Sequence, residues 1–251
     1  MIRCWQRLGK GLRKWCKVEL VKGVRAVDVG LVYKETLVVG DIQLGYEESL
    51  ERVGVLVPRF QLQDVVKRLG NIFDQVKVRR LVINGDVKHE FGRISGQEWR
   101  DVLRLFDFAF SRLGEGGEII VVRGNHDVVL DPITAKRNIR VVDEYVEDGL
   151  FVVHGHKMVI PKGEVIVIGH EHPAISFKER RDEKFKCFLV GKWREKVLIV
   201  QPSCNPLVAG SDVLREERLS PWLKGSLEDF EVFVVEDKVR YFGKVGEVRK
   251  L

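Results

Sequence analysis

Short apolar runs rich in valine and isoleucine recur along the chain, and what separates them changes character halfway. Up to about residue 127 they alternate with helix-like patterns. VRAVDVG (24–30), ETLVVGD (35–41), RRLVINGD (79–86) and EIIVVRGNHD (118–127) predict strands. Between them, RFQLQDVVKRLGNIF (59–73) places Leu62, Val65, Val66, Leu69, Ile72 and Phe73 on one helical face. QEWRDVLRLFDFAFSRLG (97–114) does the same with Trp99, Val102, Leu103, Phe106, Phe110 and Leu113, aromatics whose spacing assigns them to a core. Beyond residue 127, LFVVHGH, EVIVIGHEH, AISFKE, KFKCFLVG and KVLIVQPS follow with little helix between them. DFEVFVVED and KVRYFGKVGEVRKL read as a hairpin across Glu236-Asp237, and 213–229 as a loop or short helical excursion. The first half is thus built of βαβ units and the second is mostly β. This predicts an α/β fold with two sheets packed face to face and helices outside. No internal repeat or low-complexity linker divides it, so 18–251 reads as a single domain preceded by a distinct segment, 1–17.

The polar residues that end these runs are not a random set. VVGD ends in Asp41, VINGD in Asp86, VVRGNHD in Asn125, His126 and Asp127, FVVHGH in His154 and His156, and VIGHEH in His170 and His172. His89 lies three residues after Asp86. Ligands of open α/β sheets bind just beyond the carboxyl ends of strands, where these residues would converge. Carboxylate, amide oxygen and imidazole together suit divalent metals such as Mn²⁺, Fe²⁺ or Zn²⁺. Six or seven such donors exceed the needs of one ion and suit two, ~3.5–4 Å apart, sharing a carboxylate. No glycine-rich nucleotide-binding loop and no serine-nucleophile elbow competes with this reading.

The ordered set GD, GD, GNHD, HGH, GHEH resembles the calcineurin-like metallophosphoesterase superfamily. LGYEESLERVGVLVPRFQ, GDVKHEFG, GHEHP and QPSCNPL with SPWL further resemble an archaeal and bacterial subfamily of phosphoesterases found near DNA ligases and helicases. The likeness covers roughly 18–251. It implies a two-sheet metallophosphoesterase sandwich and two divalent ions, Mn²⁺ first among Mn²⁺, Fe²⁺, Zn²⁺ and Mg²⁺. Asp41 and His172 would hold the first, Asp86 would bridge, and Asn125, His154 and His170 would hold the second. His126 would face the substrate phosphate without binding metal, and Asp127 would orient His126 by accepting its other N–H. His156 and His89 would stand behind the ligands or on the substrate side. The ions would present an activated hydroxide to phosphorus and neutralise phosphoryl charge, while a protonated His126 would stabilise that charge or protonate the leaving oxygen.

One position departs from the pattern. Where the superfamily has Asp-x-His, this chain has Asp41-Ile42-Gln43. A glutamine amide oxygen binds a cation more weakly than imidazole binds Mn²⁺ or Zn²⁺, so the first site is expected to be under-occupied. Three outcomes stand open: activity at high Mn²⁺ or Mg²⁺, activity with one tightly held metal, or a binding module on a phosphoesterase fold.

Charge narrows the partners. Lys plus Arg exceed Asp plus Glu by six, and residues 1–17 hold six basic residues and no acid, so the rest of the chain is balanced. Within that stretch Ile2, Trp5, Leu8, Leu12 and Trp15 form a helix-like stripe, interrupted by Gly9 and Gly11. It reads as an amphipathic arm docked on its own body, or as a contact for nucleic acid, a partner or a membrane surface. It lacks the apolar core of a signal peptide. The four cysteines, Cys4, Cys16, Cys187 and Cys204, show neither zinc nor disulfide spacing and indicate a reducing, cytoplasmic protein. No apolar run is long enough to span a membrane. The leading expectation is a metal-dependent phosphodiesterase or nuclease on DNA or RNA, supported by the arm and by Lys88 and Arg123 beside the site motifs, with a ligase or helicase as a partner by family context. The alternatives are the binding module and a small-molecule phosphomonoesterase.

Overall fold

A computed structural model describes residues 18–250; the basic arm, 1–17, lies outside them. The first sheet runs in chain order: β1 (Val18–Val21), β2 (Val24–Val27), β3 (Gly30–Tyr33), β4 (Thr36–Gly40), β5 (Arg80–Asn84), β6 (Glu118–Val122) and β7 (Arg140–Val142). Neighbours are antiparallel through β4 and parallel from β4 to β7. The parallel strands are crossed by helices α1 (Tyr46–Arg52) and α2 (Gln61–Phe73) after β4, α3 (Gly96–Leu113) after β5 and α4 (Asp131–Thr134) after β6. The second sheet holds β8 (Tyr145–Glu147), β9 (Leu150–Val153), β10 (Val165–Ile168), β11 (Pro173–Phe177), β12 (Arg180–Trp193), β13 (Lys196–Val200), β14 (Ser211–Asp212), β15 (Glu231–Val235) and β16 (Val239–Lys244). The end of β12 lies between β13 and β15, while its beginning carries β11 and then β14. A short helix, α5 (Val245–Val248), follows β16.

Period-two alternation splits the second sheet's side chains between two cores. Val152, Val167, Phe188, Ile199 and Phe233 face the first sheet and join the core that also buries Val65, Leu69, Phe106 and Ala109 of α2 and α3. Their neighbours Phe151, Ile166, Leu189, Leu198 and Val232 point the other way. That outer face is covered by Trp222, Leu223, Leu227 and Phe230 from 213–230, together with Val245 and Val248. The segment 213–229 is therefore a wrap, with one 3₁₀ turn at Pro221–Leu223. The expected two-sheet sandwich with outside helices is the observed fold.

The predicted strand 24–30 is in fact two. Asp28 adopts φ +52 and turns the chain between β2 and β3, and its carboxylate accepts two hydrogen bonds from the Arg68 guanidinium on α2, at 2.8 and 2.7 Å. A left-handed aspartate is uncommon but tolerated, and here a bidentate ion pair holds it. The site strands also end earlier than their motifs: β4 stops at Gly40, β5 at Asn84 and β6 at Val122. The functional side chains thus sit on loops just past a rigid parallel edge.

Candidate metal centre

Parallel strands of both sheets deliver the motifs to one crevice. Asp41, Asp86 and Asn125 follow β4, β5 and β6; His154 and His170 follow β9 and β10. The loops are tied directly to one another. Asp41 N–H donates to Gly85 O at 3.1 Å, Gln43 N–H to Asp86 O at 2.8 Å, and Gly169 N–H to His154 O at 2.9 Å. His170 N–H reaches across the sheets to the Asp41 carboxylate at 3.1 Å. Behind it, Ser203 Oγ donates to Asp41 O at 2.7 Å, and Gln201 Nε2 clasps Val29 O and Val38 O.

Five of the seven expected ligand positions hold left-handed backbone: Asp41 (φ +54), Gln43 (+50), Asp86 (+48), His170 (+64) and His172 (+50). Each such residue costs about 1–3 kcal/mol and persists only where its surroundings enforce it. The motif glycines explain part of the enforcement by close approach. A methyl at Gly85 would overlap the His154 imidazole, and one at Gly124 would overlap the Asp86 carboxylate.

The donors fall into two neighbouring groups. One oxygen or nitrogen each of Asp86, His154 and His170 lie within 4.8 Å of one another. Asn125 Oδ1 joins them, 3.1 Å from His154 Nε2. On the other side, His172 Nε2 is 3.1 Å from Asp41 Oδ1 but lacks hydrogen-bond geometry, and among the described residues this buried nitrogen has no hydrogen-bond partner. An orphaned buried imidazole nitrogen facing a carboxylate is the arrangement of two co-ligands, so the residues present fit divalent ions.

The electrostatics follow from crowding. Burial opposes ionisation of Asp86, yet its hydrogen bond to His154 and the charges of His154 and His126 hold its carboxyl well below the usual range. Burial likewise opposes a charged His154, but Asp86 and Asp41 raise it to about 9. Burial, then repulsion from His154, pushes His170 and His156 down to about 4. His154 Nδ1–H faces the accepting Asn84 carbonyl at 3.2 Å, which leaves Nε2 as the donor atom for a ligand.

Asp127 does not take the place expected of it. Its fully buried carboxylate accepts Val87 N–H at 3.0 Å and Gly124 N–H at 3.1 Å, bracing two site loops. Burial, then the Asp86 charge, lifts its pKa to about 6. The group that fixes His126 is instead the His89 backbone carbonyl, which accepts from Nδ1. The opposite nitrogen, Nε2, then lies 3.7 Å from Asp86 Oδ2. The His89 ring packs edge-on to Tyr46 at 4.9 Å. His156 stands 5.3 Å from His154, ring to ring, on the wall of an open cleft of about 830 Å³ that Arg218, Leu219, Pro221 and Lys224 also line.

Two basic residues are also relocated. Lys88 is fully buried and donates to Glu90 O, and Arg123 is paired with Asp131 at 2.8 Å while donating to Asp127 O. Both therefore hold structural contacts within the fold.

Gln43 keeps the backbone of a ligand position. Its carbonyl accepts Gln61 Nε2 at 2.8 Å, and buried Glu47 in turn accepts Gln61 N–H and, at 3.2 Å, Gln97 Nε2. Among the described residues, none hydrogen-bonds its side-chain amide. The LGYEE and RFQ segments are thus the scaffold of the Gln43 loop. SPWL plays the same part for the loop that carries His170 and His172. Glu171, between His170 and His172, accepts Leu219 N–H (2.9 Å) and Ser220 N–H (2.8 Å), and Ser220 Oγ donates to Gly155 O at 2.8 Å. Glu47, Gln61 and Glu171 were not legible as site residues, because buried carboxylates and an amide that bind backbone groups leave no spacing signal.

With the geometry in view, three comparisons bear on the chain. The profile of the calcineurin-like phosphoesterase family matches residues 35–180. No curated protein matches. Among solved structures, Pseudomonas putida nuclease MPE superposes with a TM-score of 0.64 over 91% of this chain and 100% of its own, at 17% identity. Yfce, a phosphoesterase from E. coli, gives 0.42 over 83% and 98% of the two chains, at 16% identity. Among the described residues, no helix is long and apolar enough to cross a membrane.

Proposed function

The chain belongs to the calcineurin-like phosphoesterase family, hydrolases of phosphate esters, and from that premise we propose a phosphodiesterase that cuts nucleic acid with two divalent ions. The observation that carries this reading is the position of Asp86. Its Oδ1 lies 3.5 Å from His154 Nε2, and the backbone of its own loop is hydrogen-bonded to Gln43 and Asp41, which supports a carboxylate shared by the two donor groups. Asp41, Asp86 and His172, with Gln43 as a weak fourth donor, would hold one ion; Asp86, Asn125, His154 and His170 would hold the other. Bound there, divalent cations supply an acidified water and positive charge for the phosphoryl oxygens. The chain's own part is positional. With Nδ1 committed to the His89 carbonyl, His126 can carry a further proton only on Nε2, the nitrogen that faces the site, where it would be handed to the leaving oxygen.

Metal binding is expected to displace the His154 proton. A ring with a pKa of about 9 is protonated at pH 7, and a cation on Nε2 must remove that proton. Mn²⁺ affinity at the site that includes His154 should therefore rise about tenfold per pH unit below 9, with about one proton released at pH 7 by the ion bound there. Calorimetry in buffers of different ionisation enthalpy measures this. Mn²⁺ binding that is flat between pH 6 and 8 would take His154 out of the ligand set.

Nucleic acid is the favoured substrate because the basic stretch 1–17, the open cleft beside His156 and the nuclease activity of the P. putida fold neighbour agree. Single-stranded DNA should bind with an affinity that falls steeply with salt, and removing residues 1–17 should flatten that slope. Turnover of p-nitrophenyl phosphate without any salt-dependent DNA binding would leave a small-molecule phosphomonoesterase.

A further inference from the structure

Building on the nucleic-acid reading, we propose that Phe91 is a stacking platform for a nucleobase beside the scissile phosphate. Phe91 is 60% exposed, yet its ring is not free: it lies on the His126 imidazole, centroids 3.6 Å apart at 36°. One face of the phenyl ring is thus used, and the rest is offered to solvent one ring's depth from the imidazole that faces Asp86.

The loop presenting it is held with unusual care for a surface loop. Glu98, fully buried on the first turn of α3, accepts Ser95 N–H through Oε2 at 2.6 Å, which completes the helix cap. Its other oxygen accepts His89 N–H at 3.1 Å and Glu90 N–H at 2.7 Å, contacts the cap does not need. Buried Lys88 donates to Glu90 O, and the Glu90 carboxylate is paired with Arg52 and Arg93 at 2.6 and 2.9 Å. A platform must be rigid before its ligand arrives, or ordering it consumes the affinity gained. Every nucleobase has a π-face, so such a site accepts single strands without reading their sequence.

The competing role for Phe91 is a cover that keeps water off His126. The two roles separate on substrates with and without bases. Initial rates in Mn²⁺ would be compared for a single-stranded oligonucleotide and its abasic counterpart, using the unaltered chain, Phe91→Ala and Phe91→Trp. A platform predicts that Phe91→Ala raises KM for the base-bearing strand on the order of tenfold, with kcat nearly unchanged. KM for the abasic strand should not move, and Phe91→Trp should restore the original value. Equal losses on both strands would make Phe91 a cover for His126, and no change on either would leave it without a role; each overturns the proposal. If the unaltered chain cuts neither strand but hydrolyses bis-p-nitrophenyl phosphate, the nucleic-acid reading itself has failed.

Discussion

Replacing Asp86 by alanine is expected to lower kcat for phosphodiester hydrolysis on the order of a thousandfold. A metal charge anchored on this carboxylate would contribute several kcal/mol to the transition state, and each 1.36 kcal/mol is about a factor of ten. Asp86→Asn is the sharper variant. It keeps the volume and an oxygen to accept the His126 N–H, now 3.0 Å from Oδ1, and removes only the charge. It should fall nearly as far as alanine. Activity within tenfold of the unaltered chain would mean that the Asp86 charge is not what the reaction uses. Metal-free protein gives an independent reading. Asp86 is a main reason the His154 pKa stands near 9 despite burial. Its loss should bring the His154 imidazole resonance to titrate at lower pH in an NMR experiment.

The strand ends were legible because they are chemistry at fixed places in a repeating pattern. An apolar run, a glycine and a metal-type side chain recur five times, and period-two alternation placed the runs in sheets. What escaped is of a different physical kind. The two turn residues, Asp28 and Val29, are not glycine, and Asp28 relies on Arg68, forty residues away, so VRAVDVG looked continuous. Helix α1 is only seven residues long and shows no usable periodicity. The family resemblance implied a pairing of Asp127 with His126, but the backbone aims the Asp127 carboxylate inward at Val87 and Gly124. Lys88 looked like a surface charge because burial of a lysine depends on a carbonyl acceptor that only the fold supplies. The recurring lesson is that donors projecting from strand ends can be read along the chain, while the buried polar groups that aim them cannot.

Gln43→His tests what this chain has done with its first site. The backbone there is already that of a ligand: φ is +50, the N–H is bound to Asp86 O, and the carbonyl is bound to Gln61. Histidine is among the residues that adopt left-handed backbone more readily than most, so the substitution should fold without strain. The side-chain amide makes no hydrogen bond among the described residues, so nothing is broken by its removal. Imidazole is the better donor to Mn²⁺ or Zn²⁺. The unaltered chain should therefore hydrolyse a phosphodiester, but with a Mn²⁺ midpoint roughly 10–100-fold higher than that of Gln43→His, the scale on which changes around a metal site act. The gap should narrow with Mg²⁺, for which an amide oxygen is a more natural donor than imidazole. Equal midpoints would place the Gln43 side chain outside the first site. Hydrolysis by Gln43→His alone would show that the other ligands are still arranged for catalysis and that the missing imidazole is what turned the natural protein into a binder.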